Sequence, residues 1–504
     1  AFMKKKLLFW LTGDMTQFHL SYYIQNADKF DFYAIIDSPY HSKEFYQQQK
    51  LVKFKKIWYL HDFIKKKKSN PDFSFLTNFE KKYNLDLWKL IINERIFYRF
   101  FNFHKFSYEE VLSIDEQMCK FFESILDEVK PLAFITKLTG FHHLEIFCQM
   151  CRSQNIKVMM PYIGKFSNRL LLTDNPIRID SDFDINEVSG LNRDFKQLRD
   201  LLKSHDSAGI VDKYINNLGS SKINFIKSAF RYLFLSNNKS EKTLFAYYGR
   251  TKIKVLSYML KSILTRKIRK IFIDNNLELD PKLNLKFVYF ALGVDLERNI
   301  LLDAPYFTNQ VEVIRNIAKS LPIDFKLYVK EAPANVTRDW RSKSEYNDIL
   351  KIPNVTLIHP NYDSKNLLEN CSLVATIAGS SGFEATFYGK ASIVFSDVLY
   401  DSLPSVFKIK TPEYLPKIIR QALECKVQAS DLDKFIVFLE KNSINFDLYA
   451  YDTKQLDLFA YGGQYLDVPI SEEKVKSFLE EDKLLIKNFV DAYLEKIQKF
   501  EEKQ

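Results

Sequence analysis

The sequence predicts an α/β chain in which two Rossmann-like domains face each other across a cleft and a C-terminal helix closes the molecule. Three observations carry this. At 504 residues the chain exceeds the ~250–300 residues at which a single core stops growing, so two domains are expected. Short apolar runs ending in Gly, Pro or Asp alternate with helix-compatible stretches through the first third, and the alternation restarts at Lys286, the pattern of parallel strands with helical crossovers. A content of 46% apolar and 27% charged residues is that of a globular rather than a disordered chain.

In the first domain the runs 6–13, 30–37 and 55–63 read as buried strands. Residues 16–26 and 42–52 read as the helices between them, and 65–71 as a loop. Apolar residues recur at helical spacing over 85–103 and 108–129, with Glu94-Arg95 read as an exposed pair. A strand at 131–140, a helix from His142 to Ser153 and a strand at 156–162 give a second β-α-β passage. In the last part, 285–292, 325–333, 355–360, 372–379 and 391–397 read as strands, 306–320 and 383–389 as helices, and 471–500 as one long helix. The expected division is 1–238, a first Rossmann-like domain for the acceptor; 239–284, a basic amphipathic linker; 285–430, a second Rossmann-like domain for a nucleotide sugar; and 431–504, a helical tail packed back on the body.

A net charge of +10 favours an anionic partner. Five cysteines make no disulfide framework, and Cys148 and Cys151, a CxxC inside an apolar helix, read as structural rather than redox-active or zinc-binding. This fits a reducing, cytoplasmic compartment. The apolar run near the start, Leu7 to Leu11, is too short for a membrane span and reads as a strand rather than a signal peptide. The acidic stretch 180–184 lacks the Gly and distal Glu of a calcium loop and reads as a solvated loop. No metal and no cofactor are expected. Residues 239–270 are dominated by Lys and Arg against the single acid Glu241, with Ile253, Leu256, Leu260, Ile263 and Leu264 at helical spacing. This basic amphipathic helix reads either as an interdomain helix with a solvated face or as a dock for anionic lipid or an anionic glycan, peripheral to the inner face of a membrane. No nucleic-acid signature accompanies it.

The sharpest motif lies in residues 376–390, where a strand delivers Gly379-Ser380-Ser381-Gly382 into a helix start. Glycines admit a close ligand, and the open amides at a helix start bind phosphate; the other reading is small residues placed for packing. Glu384, one turn in, suits ribose hydroxyls. Lys330-Glu331 and His359-Pro360 close two further strands expected on the same edge, Lys330 as a cation for phosphate and His359 as a donor or proton carrier.

These residues, with FVYFALGVDLE, LYVKEAP, PNVTLIHP and TIAGSSGFEATFYGKASIVFSD, resemble the C-terminal half of bacterial capsule and surface-polysaccharide biosynthesis proteins. That group has the GT-B fold and is related to the retaining Kdo transferases. The similarity covers about a quarter of the chain, with a fainter one at 162–175. It implies a nucleotide-sugar donor, CMP- or UDP-linked, in the second domain, held by Lys330, Glu331, His359, Gly379, Ser380, Ser381, Gly382 and Glu384, and a glycan or lipid-linked glycan acceptor in the first. It implies transfer of a sugar, Kdo or a related acidic one, to a capsule or lipopolysaccharide precursor. Ala332 stands where the family carries His, and 292–297 lack the family's His and Pro. Rival readings are a CDP-polyol phosphotransferase, a sugar-nucleotide epimerase, or a non-catalytic sugar-nucleotide-binding assembly protein.

On the acceptor side, Asp14 after the first strand reads as a base, a nucleophile or a helix cap. His142 and His143, following Gly140, read as substrate-facing or as helix-start packing, and Arg169 as a carboxylate contact or a surface arginine.

Overall fold

The apolar runs of the first third become β1 (Lys5–Leu11), β2 (Phe30–Ile36), β3 (Phe54–Tyr59), β4 (Ala133–Ile135) and β5 (Lys157–Ile163), joined by β6 (Leu170–Thr173). Those of the last part become β7 (Phe287–Ala291), β8 (Lys326–Lys330), β9 (Val355–Ile358), β10 (Leu373–Thr376), β11 (Ser392–Val394) and β12 (Val406–Lys408). The computed structural model describes residues 4–38, 40–66, 70–98, 103–164, 169–180, 185–205, 221–235, 244–295, 297–333, 335, 341–463 and 467–503.

The first sheet runs β3-β2-β1-β4-β5-β6 and the second β12-β11-β10-β7-β8-β9. All neighbours are parallel except β5 and β6, an antiparallel hairpin. Counted within each lobe, both orders are 3-2-1-4-5-6, the doubly wound order in which the chain reverses direction between the first and fourth strands. The reversal falls between β1 and β4 in one lobe and between β7 and β10 in the other.

Each sheet is covered on both faces. In β1, Leu8 and Trp10 enter a core with Phe122, Phe134 and Phe147, while Leu7, Phe9 and Leu11 enter another with Phe18 and Phe45. That alternation is the strand period of two read against two layers of helices. Val288 and Phe290 of β7 face one core of the second lobe, and Phe287 and Tyr289 the other.

The end of the chain divides between the lobes. The helix Ala429–Asn442 packs on the second sheet through Phe435 and Phe438. Beyond it, Phe446, Tyr451, Phe478, Phe489 and Tyr493 complete a core of the first sheet. His19 is fully buried there, with Nδ1 2.8 Å from the Tyr451 hydroxyl, and burial pushes its pKa down to about 3. The expected single helix at 471–500 is two, Glu472–Glu481 and Lys483–Glu502.

The lobes meet at the carboxyl edges of their sheets. Arg298, beyond β7, donates to the Thr139 carbonyl at 3.2 Å and lies 3.2 Å from Glu145, both beyond β4. Its second amino group pairs with Asp303 at 2.9 Å. Asn93 Nδ2 donates to the Pro305 carbonyl at 3.1 Å. Two doubly wound sheets with carboxyl edges turned to one another form the GT-B architecture. Among the described residues no helix is long and apolar enough to cross a membrane.

Candidate functional site

In a doubly wound sheet the loops at the reversal part to opposite faces and leave a crevice beyond the strand ends. In the second lobe this crevice is flanked by the loop after β7 and the 379–382 turn after β10. The turn is partly open to solvent. The helix it opens, Ser381–Phe387, is short, so its amides rather than a long dipole would greet an anion. The Ser381 hydroxyl oxygen is itself buried and has no hydrogen-bond partner among the described residues. The glycines serve close packing here. A Cβ on Gly379 would come within 2.6 Å of Thr376 Oγ1, and one on Gly382 within 2.6 Å of the Tyr400 hydroxyl. Tyr400 in turn donates to the Gly379 carbonyl.

The loop after β7 is fixed from beneath by a buried polar network. Arg341 Nε donates to Glu331 at 2.7 Å and its terminal nitrogen lies 3.1 Å from Asp295. Asn335 joins Glu331 at 2.8 Å and receives the Asp295 amide at 3.0 Å, while Gln310 Oε1 accepts the Gly293 amide at 2.8 Å. Burial raises the Asp295 carboxyl against the pull of Arg341. Glu331 is therefore not a nucleotide contact. It is fully buried and shapes the loop, which corrects its sequence assignment.

The other expected nucleotide contacts spread along the edge. Lys330 is buried at the end of β8, in register with Ala291, which is itself in register with Thr376. His359, past β9, lies three strand spacings from β10, roughly 14 Å. It is buried, with Nε2 3.2 Å from Asp274 and Nδ1 accepting the Asn361 amide at 3.1 Å. It is thus tied to the helix Lys252–Asn276 and away from the 379–382 turn, contrary to expectation. Glu384 is half-buried on the first turn of its helix.

In the first lobe the expected residues separate. Asp14 Oδ1 accepts from the Thr16 amide at 3.0 Å and the Thr16 hydroxyl at 2.9 Å. These bonds fix Asp14 at the entry to the helix Thr16–Ile24, although the N-cap position itself is Met15. His142 is sealed in the core: Nδ1 lies 2.8 Å from Glu94 and Nε2 2.8 Å from Asp115. Burial would lower its pKa, but Asp115 and Glu94 outweigh this and raise it to about 10. With both nitrogens engaged and no solvent face, His142 has no reach to a substrate, and Glu94 is no exposed residue. Arg169 donates to the Ser443 hydroxyl at 2.7 Å and to the carbonyls of Ser443 at 2.9 Å and Glu440 at 3.2 Å. It caps the end of the helix Ala429–Asn442 rather than facing a ligand. Asp180 accepts from Thr173, Asp174 and Lys496 and is buried, not solvated; the rest of that stretch, 181–184, lies outside the described residues.

His143 remains at the carboxyl edge, and it is not alone. Its Nε2 lies 3.0 Å from Asp37 Oδ2, and His61 Nε2 lies 2.9 Å from Asp37 Oδ1. Burial raises the Asp37 carboxyl, but His143 and then His61 overcome this and hold it well below the usual carboxylate range. An ionised carboxylate only accepts, so both imidazoles present Nε2–H to it. Neither Nδ1 has a partner among the described residues. The Asp37 side chain keeps 21% of its surface exposed. Phe245 packs beside both rings, at 6.0 Å from His61 and 6.1 Å from His143. Lys137 stands at the reversal of the first sheet, its Nζ 3.4 Å from Thr12 Oγ1.

Asp37, His61 and Lys137 escaped the sequence reading. The available signal was position: Asp37 directly follows β2 and His61 lies just past β3, where ligands gather in such sheets. Cys148 and Cys151 are fully buried, and burial pushes the Cys148 thiol up to about 12 and Cys151 well above its ordinary value, which suits the structural reading. Among the described residues no cluster of three or more His, Cys, Asp or Glu is placed to hold a metal ion.

No protein-family model matches the chain, and no curated protein matches it by sequence. Solved structures similar to it include a β-Kdo 2,7-transferase, KpsC of Thermosulfurimonas dismutans, at 12% identity and a TM-score of 0.31, over 72% of this chain and 91% of that one. The UDP-GlcNAc 2-epimerase of Methanocaldococcus jannaschii is similar at 12% identity and a TM-score of 0.24, over 87% of this chain and 99% of that one. The Neisseria meningitidis UDP-GlcNAc 2-epimerase bound to UDP-GlcNAc is similar at 13% identity and a TM-score of 0.25, over 87% of this chain and the whole of that one.

Proposed function

We propose that this chain is a glycosyltransferase that moves a sugar from a nucleotide donor to a glycan or lipid-linked glycan acceptor in the gap between its lobes. The observation that carries the reading is the place of the 379–382 turn at the reversal of the second sheet, on the edge that Arg298 joins to the first. The donor phosphate lies against the open amides and the unpartnered Ser381 hydroxyl, which stabilise the leaving nucleotide. Glu384 takes the ribose, and Lys330 adds positive charge further along the edge.

The acceptor lies on the first lobe. His143, oriented through Nε2 by Asp37 as His61 is, accepts its hydroxyl proton, and Asp37 stabilises the cation that forms. Lys137 meets an anionic group of donor sugar or acceptor, which suits a carboxylate-bearing sugar such as Kdo from a CMP donor.

Incubation with CMP-, UDP-, GDP- and CDP-linked donors, followed by mass analysis of products, tests this. Sugar added to an acceptor is the expected result. Polyol phosphate added instead, or epimerised donor without acceptor, replaces the reading. If no donor binds, or if Ser381→Ala leaves nucleotide affinity unchanged, the reading is refuted.

A further inference from the structure

The helix Lys252–Asn276 links the lobes and is built inside out. At 100° per residue, Ile253, Leu256, Leu260, Ile263, Leu264 and Ile271 share one face, and every one of them is exposed, Ile253 to 78% and Leu260 to 67%. The residues turned to the protein are Val255, Ser262, Thr265, Arg269, Phe272 and Ile273. They lie on the opposite face, roughly half a turn away. A surface helix ordinarily buries its apolar stripe; this one covers a mixed face anchored by Phe272 and Ile273 near its end and offers its longer apolar stripe to the outside.

A second helix repeats the pattern. In Lys222–Phe230, Ser228 is buried while Ile223, Ile226 and Phe230 are exposed, and Phe234, just beyond, is 70% exposed. Lys252 Nζ donates to the Leu233 carbonyl at 2.7 Å, tying the two together. Among the described residues nothing covers either stripe. The surroundings are basic: Lys252, Lys254, Lys261, Arg266 and Lys270, with Lys267 on the stripe itself, stand against one acid, Asp274, which is engaged by His359. Residues 221–235 contain no acid at all.

We propose that these two outward stripes, with their basic flanks, seat the chain on the surface of an anionic lipid bilayer. The charge pattern selects this occupant. A second copy would set cation against cation across the same faces. A nucleic acid would meet the basic flanks but leave the apolar stripes in water. An anionic interface takes both, the acyl boundary receiving Leu260 and Leu264 and the headgroups the lysines. The inference does not depend on sugar transfer, and its failure leaves the donor assay untouched.

The test is flotation of the full chain with phosphatidylcholine vesicles, with and without phosphatidylglycerol, over a range of salt. Binding to the phosphatidylglycerol vesicles that weakens as salt rises is expected. The exposed pair Leu260→Glu/Leu264→Glu should weaken it by about tenfold or more. Lys267→Ala/Lys270→Ala should weaken it about fivefold for each cation removed. Both variants should melt as the unaltered chain does, because neither changes a buried side chain. Absence of binding at low salt, equal binding by the variants, or a dimer in light scattering that Leu260→Glu/Leu264→Glu dissolves would each overturn the proposal.

Discussion

His142 offers the most quantitative test of how the first lobe is held together. Its ring joins two buried carboxylates, Glu94 and Asp115, each at 2.8 Å, and Glu94 also accepts the His142 amide at 2.8 Å. His142→Leu would strand both acids in the core with Phe97 and Met118. Breaking a buried pair costs about 3–5 kcal/mol, and because one cation serves both acids the two losses do not add. The pH dependence is equally specific. The folded His142 titrates near 10 against an ordinary 6.5, so its contribution is complete below about 6.5 and is lost as pH rises through about 10. The full amplitude is about 5 kcal/mol. Glu94 acts in the opposite sense. Burial would raise its carboxyl, but His142 brings it down to about 2 against an ordinary 4.5. Its contribution is therefore complete above about 4.5 and is lost as pH falls through about 2. The first lobe should be most stable between these windows and decline steadily on the alkaline side. Urea unfolding followed by tryptophan fluorescence reports it, because Trp10, Trp58 and Trp88 lie in this lobe. A His142→Leu protein with unchanged midpoint and the same alkaline slope would refute the assignment of His142 as a buried cation.

Three further outcomes follow from the geometry. Asp37→Asn should cut turnover by about 100-fold or more while leaving nucleotide affinity intact, as read by steady-state kinetics beside calorimetry; equal turnover removes Asp37 from the chemistry. Gly382→Ala pushes a methyl to 2.6 Å from the Tyr400 hydroxyl, with a cost of about 1–3 kcal/mol. It should weaken nucleotide binding, and Tyr400→Phe in the same chain should restore part of it. Arg298→Met removes the interlobe contact with Glu145, which keeps Arg152 at 3.2 Å, and takes from the buried Asp303 the cation at 2.9 Å, a loss of about 3 kcal/mol. Calorimetry should then resolve separate melting of the two lobes.

What the sequence conveyed, and what it withheld, follows from how far each interaction reaches along the chain. The strands of both lobes and the turn at 379–382 are local features. Apolar runs stopped by Gly or Pro place them, and both sheets contain them. The short edge strands β6 and β12 carry too few residues to show a period. Asp37, His61 and His143 form one cluster from three separate segments, a strand end and two helix starts, and no spacing in the sequence announces that meeting. Glu94 looks like a helix-surface acid until His142, 48 residues away, is brought against it. For the helix Lys252–Asn276 the sequence gives the apolar face plainly. Which face the protein covers is decided by packing, and here the two point in opposite directions.

The return of the chain's last residues to the first lobe also governs how the molecule is made. Phe446, Phe478, Phe489 and Tyr493 close a core that β1 and β2 began more than 400 residues earlier. During synthesis the first sheet emerges early, yet it must wait, one side uncovered, until the second lobe has been translated and the final helices leave the ribosome. The second lobe can therefore mature before the first, and a chain stopped short near residue 442 would carry a finished second lobe beside an unfinished first.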